Sequence, residues 1–586
     1  RYILMKRISN RLTRVVLLLL VTGCAGHEVE FARSLAVKAP ADIVLRGGKI
    51  VTVDGDFSIH QAIAIKDGRF LAIGTERDMR PFIGPATRVI DLAGRTVIPG
   101  LNDSHIYASA AGSSWDSDLH WESSRTLADA LTQIARAARR TPRGSWIVVG
   151  GGWVPTQFAE RRFPSRAELD KLAPNHPVYV QYLQQGALLN SAGLMAIGIA
   201  PGTPDPPGGR FERNPQTGEP TGWLQGVPAW QYAYEKISRP SLDATRQSLR
   251  NCFLELNRLG LTSLSDLQTS GVTFAHRRLL ADMARTGELP LRIIFYISVQ
   301  DSGNSIEQLK AAVEEIKGLP ANDHFRFGGF IASIARDTKD VSARSNDAPL
   351  AAPAKERFRR VAQFFAEGGY NFQLRAVNDN TARQMLDVLE QVHSVTPFVR
   401  HRIIFAELDD PSADTIERIK KLGGGITVQD RMALAGERNV QAWGLEKTRN
   451  APPLHTMIQS GVPLSAGTGA FKSSSYSPML ALWWLVTGKT MAGSEIRNPA
   501  QNLARSEALK IYTVGSAWST FEEGRKGSIE VGKYADLAVL NADYLTVPEE
   551  QIRSLHSLLT VVGGRIVYAA GPFEAAGRVT KERRSK

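Results

Sequence analysis

The chain has 586 residues, 43% of them hydrophobic and 22% charged, and carries a formal net charge of +13. That length and balance supply a large core and more than one folding unit, and they exclude an intrinsically disordered chain. Two cysteines exclude a disulfide scaffold and a cysteine-based zinc cluster, and no nucleic-acid motif accompanies the positive charge, so nucleic acid is not an expected partner.

Residues 1–23 read as a lipoprotein signal peptide. Met5-Lys6-Arg7, with Arg11 and Arg14, forms a basic stretch, and Val15 to Val21 is an apolar run too short to span a bilayer. Val21-Thr22-Gly23-Cys24 resembles a lipobox, so Cys24 is the expected lipidation site and residues 24–41 a linker. The expectation is an exported protein held at a membrane of the cell envelope. Removing the five leader cations from +13 leaves +8.

From Asp42 onward short strands alternate with tight turns, including Asp67-Gly68. The same texture returns after Lys526, with a hairpin at Gly563-Gly564. Residues 42–98 and 525–572 therefore predict one β-sandwich assembled from both chain ends. Between them, strand-like runs at 145–149, 178–181, 292–296, 372–375 and 402–405 alternate with helical periods at 357–366, 381–392 and 413–422. Repeated βα units favour a (β/α)8 TIM barrel over residues 99–524. Residues 113–240, Pro- and Gly-rich near their end, read as an insertion capping the barrel, and residues 573–586 as a basic tail.

The motifs "VIPGLNDSH", "GGW…QFAERRFPS", "GTPDPPGGR" and "KGSIEVGKYADLAVL" resemble the amidohydrolase superfamily, in particular its amidohydrolase-3, N-substituted-formamide-deformylase-like branch, some of whose members are labelled exoenzyme regulators. The resemblance covers residues 42–572. It implies a metal-dependent hydrolase fold with one or two divalent ions, zinc or another, activating water against a non-peptide C–N bond.

Carried over position by position, the implied metal ligands are largely replaced. The first-strand His-x-His pair is His105-Ile106-Tyr107, and the bridging residue of the fourth strand falls near Ile331. Arg375 and Phe405 stand at two further histidine positions, Asp430 at another, and Gly469 at the aspartate position. His105 alone is retained, and one imidazole does not hold a divalent ion. No cofactor is therefore expected.

Three readings follow. The first is a catalytically degenerate, membrane-anchored protein that binds a small molecule or partner at His105, Tyr107, Arg375, Phe405, Asp430, Arg431, Gly469 and Lys472. The second is a metal-free enzyme in which Asp103 and His105 act as an acid–base pair, Arg375, Arg431 and Lys472 supply fixed positive charge to an oxyanion, and Asp430, Asp379 or Glu407 acts as base or neutralises Arg375. The third is an ordinary hydrolase of amide-like bonds with other ligands. If Arg375 carries the site, the small molecule is an anion.

Overall fold

The computed structural model describes residues 39–237, 240–268, 271–299, 305–332, 349–376, 378–471 and 473–582. Eight parallel strands form one sheet: Leu101–Ile106, Leu261–Gln268, Arg292–Val299, Phe325–Ala332, Phe372–Arg375, Ile403–Ala406, Gly425–Gln429 and Leu464–Gly467, neighbours in chain order. Nearly every residue of these strands is buried, as expected where helices cover one face and the opposite face lines a barrel. Inside the barrel Leu267, Ile294, Tyr296 and Ile331 form an apolar cluster, with Tyr107 packed at its margin. Outside it, helices such as Leu242–Arg258, Ala352–Gly368 and Asp379–Val395 contribute Phe253, Phe365 and Leu389 to the main core.

The sheet closes between its last and first strands. Gly469 N–H donates to the His105 carbonyl at 2.7 Å and Tyr107 N–H to the Ala470 carbonyl at 2.9 Å. Gly467 allows this approach: a Cβ there would lie 2.5 Å from His105 N and 2.6 Å from Asp103 Oδ1. This is the (β/α)8 barrel that the sequence predicts.

Two sheets flank the barrel. One has four strands, ordered Arg69–Gly74, Ala62–Lys66, Ile43–Arg46 and Arg88–Asp91. The other has six and mixes both chain ends, with Leu537–Leu540 paired antiparallel to Thr96–Pro99. Ile43, Leu45, Ile63, Val97, Leu537, Val539 and Leu559 fill the core between them. The "KGSIEVGKYADLAVL" motif ties this sandwich to the barrel through buried charge. Arg292 makes a two-pronged ion pair with Asp536 at 2.8 and 3.1 Å and stacks over Tyr534. Lys526 pairs with Glu522 at 2.6 Å and bonds Ser263 on the second barrel strand.

The insertion after the first barrel strand carries its own six-stranded sheet, running from Asp118–Leu119 to Pro220–Gln225. Ile147–Val149 and Val178–Tyr182 pair in parallel within it and take no place in the barrel. The helix Arg166–Leu172 between them makes a βαβ unit whose local pattern matches a barrel repeat. A second difference lies at the C-terminus, where Glu574–Glu582 is a helix rather than a bare basic tail. Among the described residues no helix is long and apolar enough to cross a membrane; Cys24 and the leader lie outside the described residues.

Candidate active site

The residues singled out by sequence converge at the C-terminal ends of the barrel strands, the face where TIM-barrel sites are built. Asp103 is 1% exposed and acts as a tie across the barrel seam. It accepts from His105 N–H at 2.9 Å and from Thr468 through N–H at 3.1 Å and Oγ1 at 2.7 Å, with Tyr512 OH at 3.4 Å. Burial pushes its pKa up to about 6, opposed by those donors. The expected Asp103–His105 acid–base pair is not formed, because Asp103 meets the backbone of His105 and not its ring.

The His105 ring is fully buried and fixed in tautomer. Gln373 gives its amide N–H to the Ser104 carbonyl at 3.1 Å, which leaves its oxygen to accept from His105 Nδ1 at 3.0 Å. Nε2 is then the basic nitrogen, and it has no hydrogen-bond partner. Burial lowers the His105 pKa and keeps the ring neutral, more than Glu407 and Gln373 offset. Tyr107 lies edge-on to the ring, centroids 5.7 Å apart.

Glu407 faces that nitrogen, with Oε1 3.7 Å from Nε2. Arg375 holds the same carboxylate at 2.9 Å, and Arg431 holds it at 2.8 Å while also bonding Asp409 at 3.1 Å. Burial alone would raise the Glu407 pKa, but the charges of Arg375 and Arg431 outweigh it and hold the carboxyl well below its ordinary range. The same pairing raises Arg375. Glu407 adopts a φ of +63°, uncommon outside glycine, and is kept there by its N–H on Gln429 Oε1 and by Arg431 on its carbonyl.

Asp430, 1% exposed, accepts from Ser474 Oγ at 2.9 Å through Oδ1, while Oδ2 has no partner. Burial raises its pKa well above the usual range, against the Ser474 bond, and Asp103 adds to the rise. Around this point the capping insertion and the loop after the last strand build an aromatic cluster. Trp115 stacks on His120 at 3.7 Å and meets Tyr476 edge-on at 5.2 Å, and Phe471 stacks on Tyr476 at 5.3 Å.

Phe405 is the exception. It pairs in register with Leu374, whereas Ala406 pairs with Arg375. Side chains alternate along a strand, so Phe405 faces away from the mouth and is buried in the main core. Lys472 lies outside the described residues. Gln373, Asp409 and Thr468 belong to the site without having been singled out, and each lies within two residues of a position that was: Arg375, Glu407 and Gly469.

The amidohydrolase family model matches residues 88–568. The N-substituted formamide deformylase of Arthrobacter pascens is 27% identical over 547 residues, covering 90% of this chain and 98% of that protein. An uncharacterized metal-dependent hydrolase from Pyrococcus furiosus superposes with a TM-score of 0.62 at 22% identity, over 86% of this chain and 100% of the other. Atrazine chlorohydrolase TrzN from Arthrobacter aurescens TC1, complexed with zinc, superposes with a TM-score of 0.50 at 15% identity, over 92% and 100%.

These neighbours overturn the expectation that no cofactor is needed: the fold is one of metal-dependent hydrolases, some solved with zinc, which makes a metal the expected cofactor. The donor set described above does not fit such an ion. His105 Nε2 and Asp430 Oδ2 are too few unpartnered donors for such an ion, and the carboxylate facing Nε2 is already bonded by two guanidinium groups. Among the described residues no group of three or more His, Cys, Asp or Glu is placed to hold a metal.

Proposed function

The chain belongs to the amidohydrolase family, matched over residues 88–568, and on that premise we propose that it is a ligand-binding member in which hydrolysis of carbon–nitrogen bonds has lapsed. The observation that supports this is the clamp on Glu407. A general base needs a free lone pair and a pKa near the working pH. Glu407 lacks the second, since the two arginines bonded to its oxygens hold its pKa well below the ordinary range. Asp103 is consumed by the seam, and burial raises the Asp430 pKa, which disfavours its carboxylate form. Arg375, with 23% of its side chain exposed, is the contact offered to a ligand carbonyl or carboxylate. The reading concerns turnover; a metal ion bound without turnover is compatible with it.

A second reading is favoured by one feature, the unpartnered Nε2 of His105, which is available as a base in a metal-free hydrolysis. One screen separates the two. Purified protein, with and without added zinc, is assayed on N-substituted formamides, acylamines and cyclic imides alongside elemental analysis. No turnover above the uncatalysed rate is expected. Metal-independent turnover abolished by His105→Gln establishes the second reading, and zinc-dependent turnover overturns both.

The leader supports export and attachment to a membrane through Cys24. Incorporation of labelled palmitate, lost in Cys24→Ser, is the expected result.

A further inference from the structure

At the mouth of the barrel two acceptors face each other. His105 Nδ1 donates to Gln373 Oε1 at 3.0 Å, so Nε2 carries the lone pair, fully buried and without a hydrogen-bond partner among the described residues. Glu407 Oε1 stands 3.7 Å from it, beyond hydrogen-bond reach. Two buried lone pairs so placed repel each other unless positive charge answers them. Their separation is close to the spacing of about 3.4 Å between two donors on one tetrahedral zinc, whose bonds to nitrogen and oxygen are about 2.0–2.2 Å.

The positive charge at this point comes from the chain itself. Arg375 Nη2 lies 2.9 Å from the same Oε1. Oε2 is held by Arg431 at 2.8 Å, and Arg431 also bonds Asp409 and the Glu407 carbonyl. The two guanidinium groups differ in freedom. Arg431 is buried on three acceptors, whereas Arg375 is 23% exposed and, among the described residues, bonds Glu407 alone. Arg375 and Arg431 balance the charges of Glu407 and Asp409, so a divalent ion brought to Oε1 meets an uncompensated like charge. Without Arg375 the corner is one charge negative, and Arg431 still holds Glu407 by its other oxygen.

We propose that Arg375 and a divalent ion are mutually exclusive occupants of Glu407 Oε1. The mismatch between the ion expected of this fold and the donor set of this chain is then the work of one side chain: an ion reaches His105 Nε2 and Glu407 Oε1 only where Arg375 lets go. Arg375 ends the fifth barrel strand, in register with Ala406, at a position where the resemblance implies a histidine. Exchange to histidine there removes the competing charge and supplies a nitrogen donor together. The inference stands apart from the ligand-binding reading, since it concerns an ion and neither a ligand nor turnover.

The test is calorimetric titration of the full chain with zinc chloride, comparing wild type with Arg375→Leu and Arg375→His. Arg375→Leu keeps an apolar stem, removes the competing charge, and is expected to bind one zinc about ten-fold more tightly than wild type. Arg375→His adds a third donor and is expected to gain about ten-fold again. His105→Gln in the Arg375→His background should return the affinity to that of wild type, which places the ion on Nε2. Zinc bound as tightly by wild type as by the variants overturns the proposal, and so does a gain that survives His105→Gln. Melting curves show which variants fold, and the two exchanges are separate routes of which either decides. Turnover in the earlier screen would sink the non-catalytic reading and leave the order of zinc affinities untouched, so the two fail separately.

Discussion

Glu407 sits between two guanidinium groups, and its removal exposes what it neutralises. Glu407→Gln leaves Arg375 facing Arg431, which keeps only Asp409. Breaking a buried pair from one side costs about 3–5 kcal/mol; because Arg375 is 23% exposed, the expected loss is about 3 kcal/mol in urea unfolding. Glu407→Gln with Arg375→Met should recover part of it, and a double variant as unstable as the single one would contradict the clamp. Glu122 gives a pH signature. Its folded pKa, about 8, lies above the ordinary 4.5, so the native state holds a proton the unfolded state has lost. Stability therefore falls as pH rises from about 4.5 to about 8, by an amount on the order of 2 kcal/mol after discounting for partial exposure. Glu122→Gln should flatten that slope in melting curves taken from pH 5 to 9. Arg375 was legible in the sequence because it ends the predicted strand 372–375, at a position where the resemblance implies a histidine, and its neutralisation by a nearby carboxylate was one of the readings. Phe405 was misplaced because a shift of one residue in register turns a strand side chain to the opposite face. Glu122 was invisible because it lies in the insertion, where no quoted motif marks it.

At the scale of elements, barrel closure depends on how near the last strand comes to the first. Gly467→Ala places a methyl group within 2.5 Å of His105 N and 2.6 Å of Asp103 Oδ1. Both are backbone or tightly bonded atoms, so the strands must part. Overpacking of this kind costs about 1–3 kcal/mol or more, and the Asp103 tie to Thr468 stretches with it. A lowered urea midpoint is the expected result, and an unchanged one would show that the seam yields freely. Helices were legible from period and caps: Ser412 and Asn378 each cap a predicted helix by accepting from the backbone of Thr415 and Thr381. The strands Ile147–Val149 and Val178–Tyr182 carried a true local signal with the wrong address. Hydrophobic pattern reports a βα unit, and only tertiary pairing decides which sheet receives it.

For the whole molecule, the barrel and sandwich are held by buried charge as well as apolar surface. Asp536 receives both prongs of Arg292 and the Gly563 N–H at 2.7 Å. Asp536→Asn should cost about 3 kcal/mol or more by leaving a buried guanidinium without its counter-ion, read as an earlier urea transition. That both chain ends build one sandwich was legible because their β-textures match and flank a βα-repeating middle. The buried pairing was not, since Arg292 and Asp536 lie far apart in sequence and neither carries a local signal.

The cap leaves and rejoins the barrel at nearly one place. The short helix Ala108–Gly112 lies against Leu242–Arg258, where a Cβ on Gly112 would touch Leu249 at 2.9 Å, and Asp116 bonds Ser248 and Asn251 across the same junction. The two stems of the insertion are therefore neighbours, and the barrel strands on either side of it keep their places whatever the length of chain between the stems.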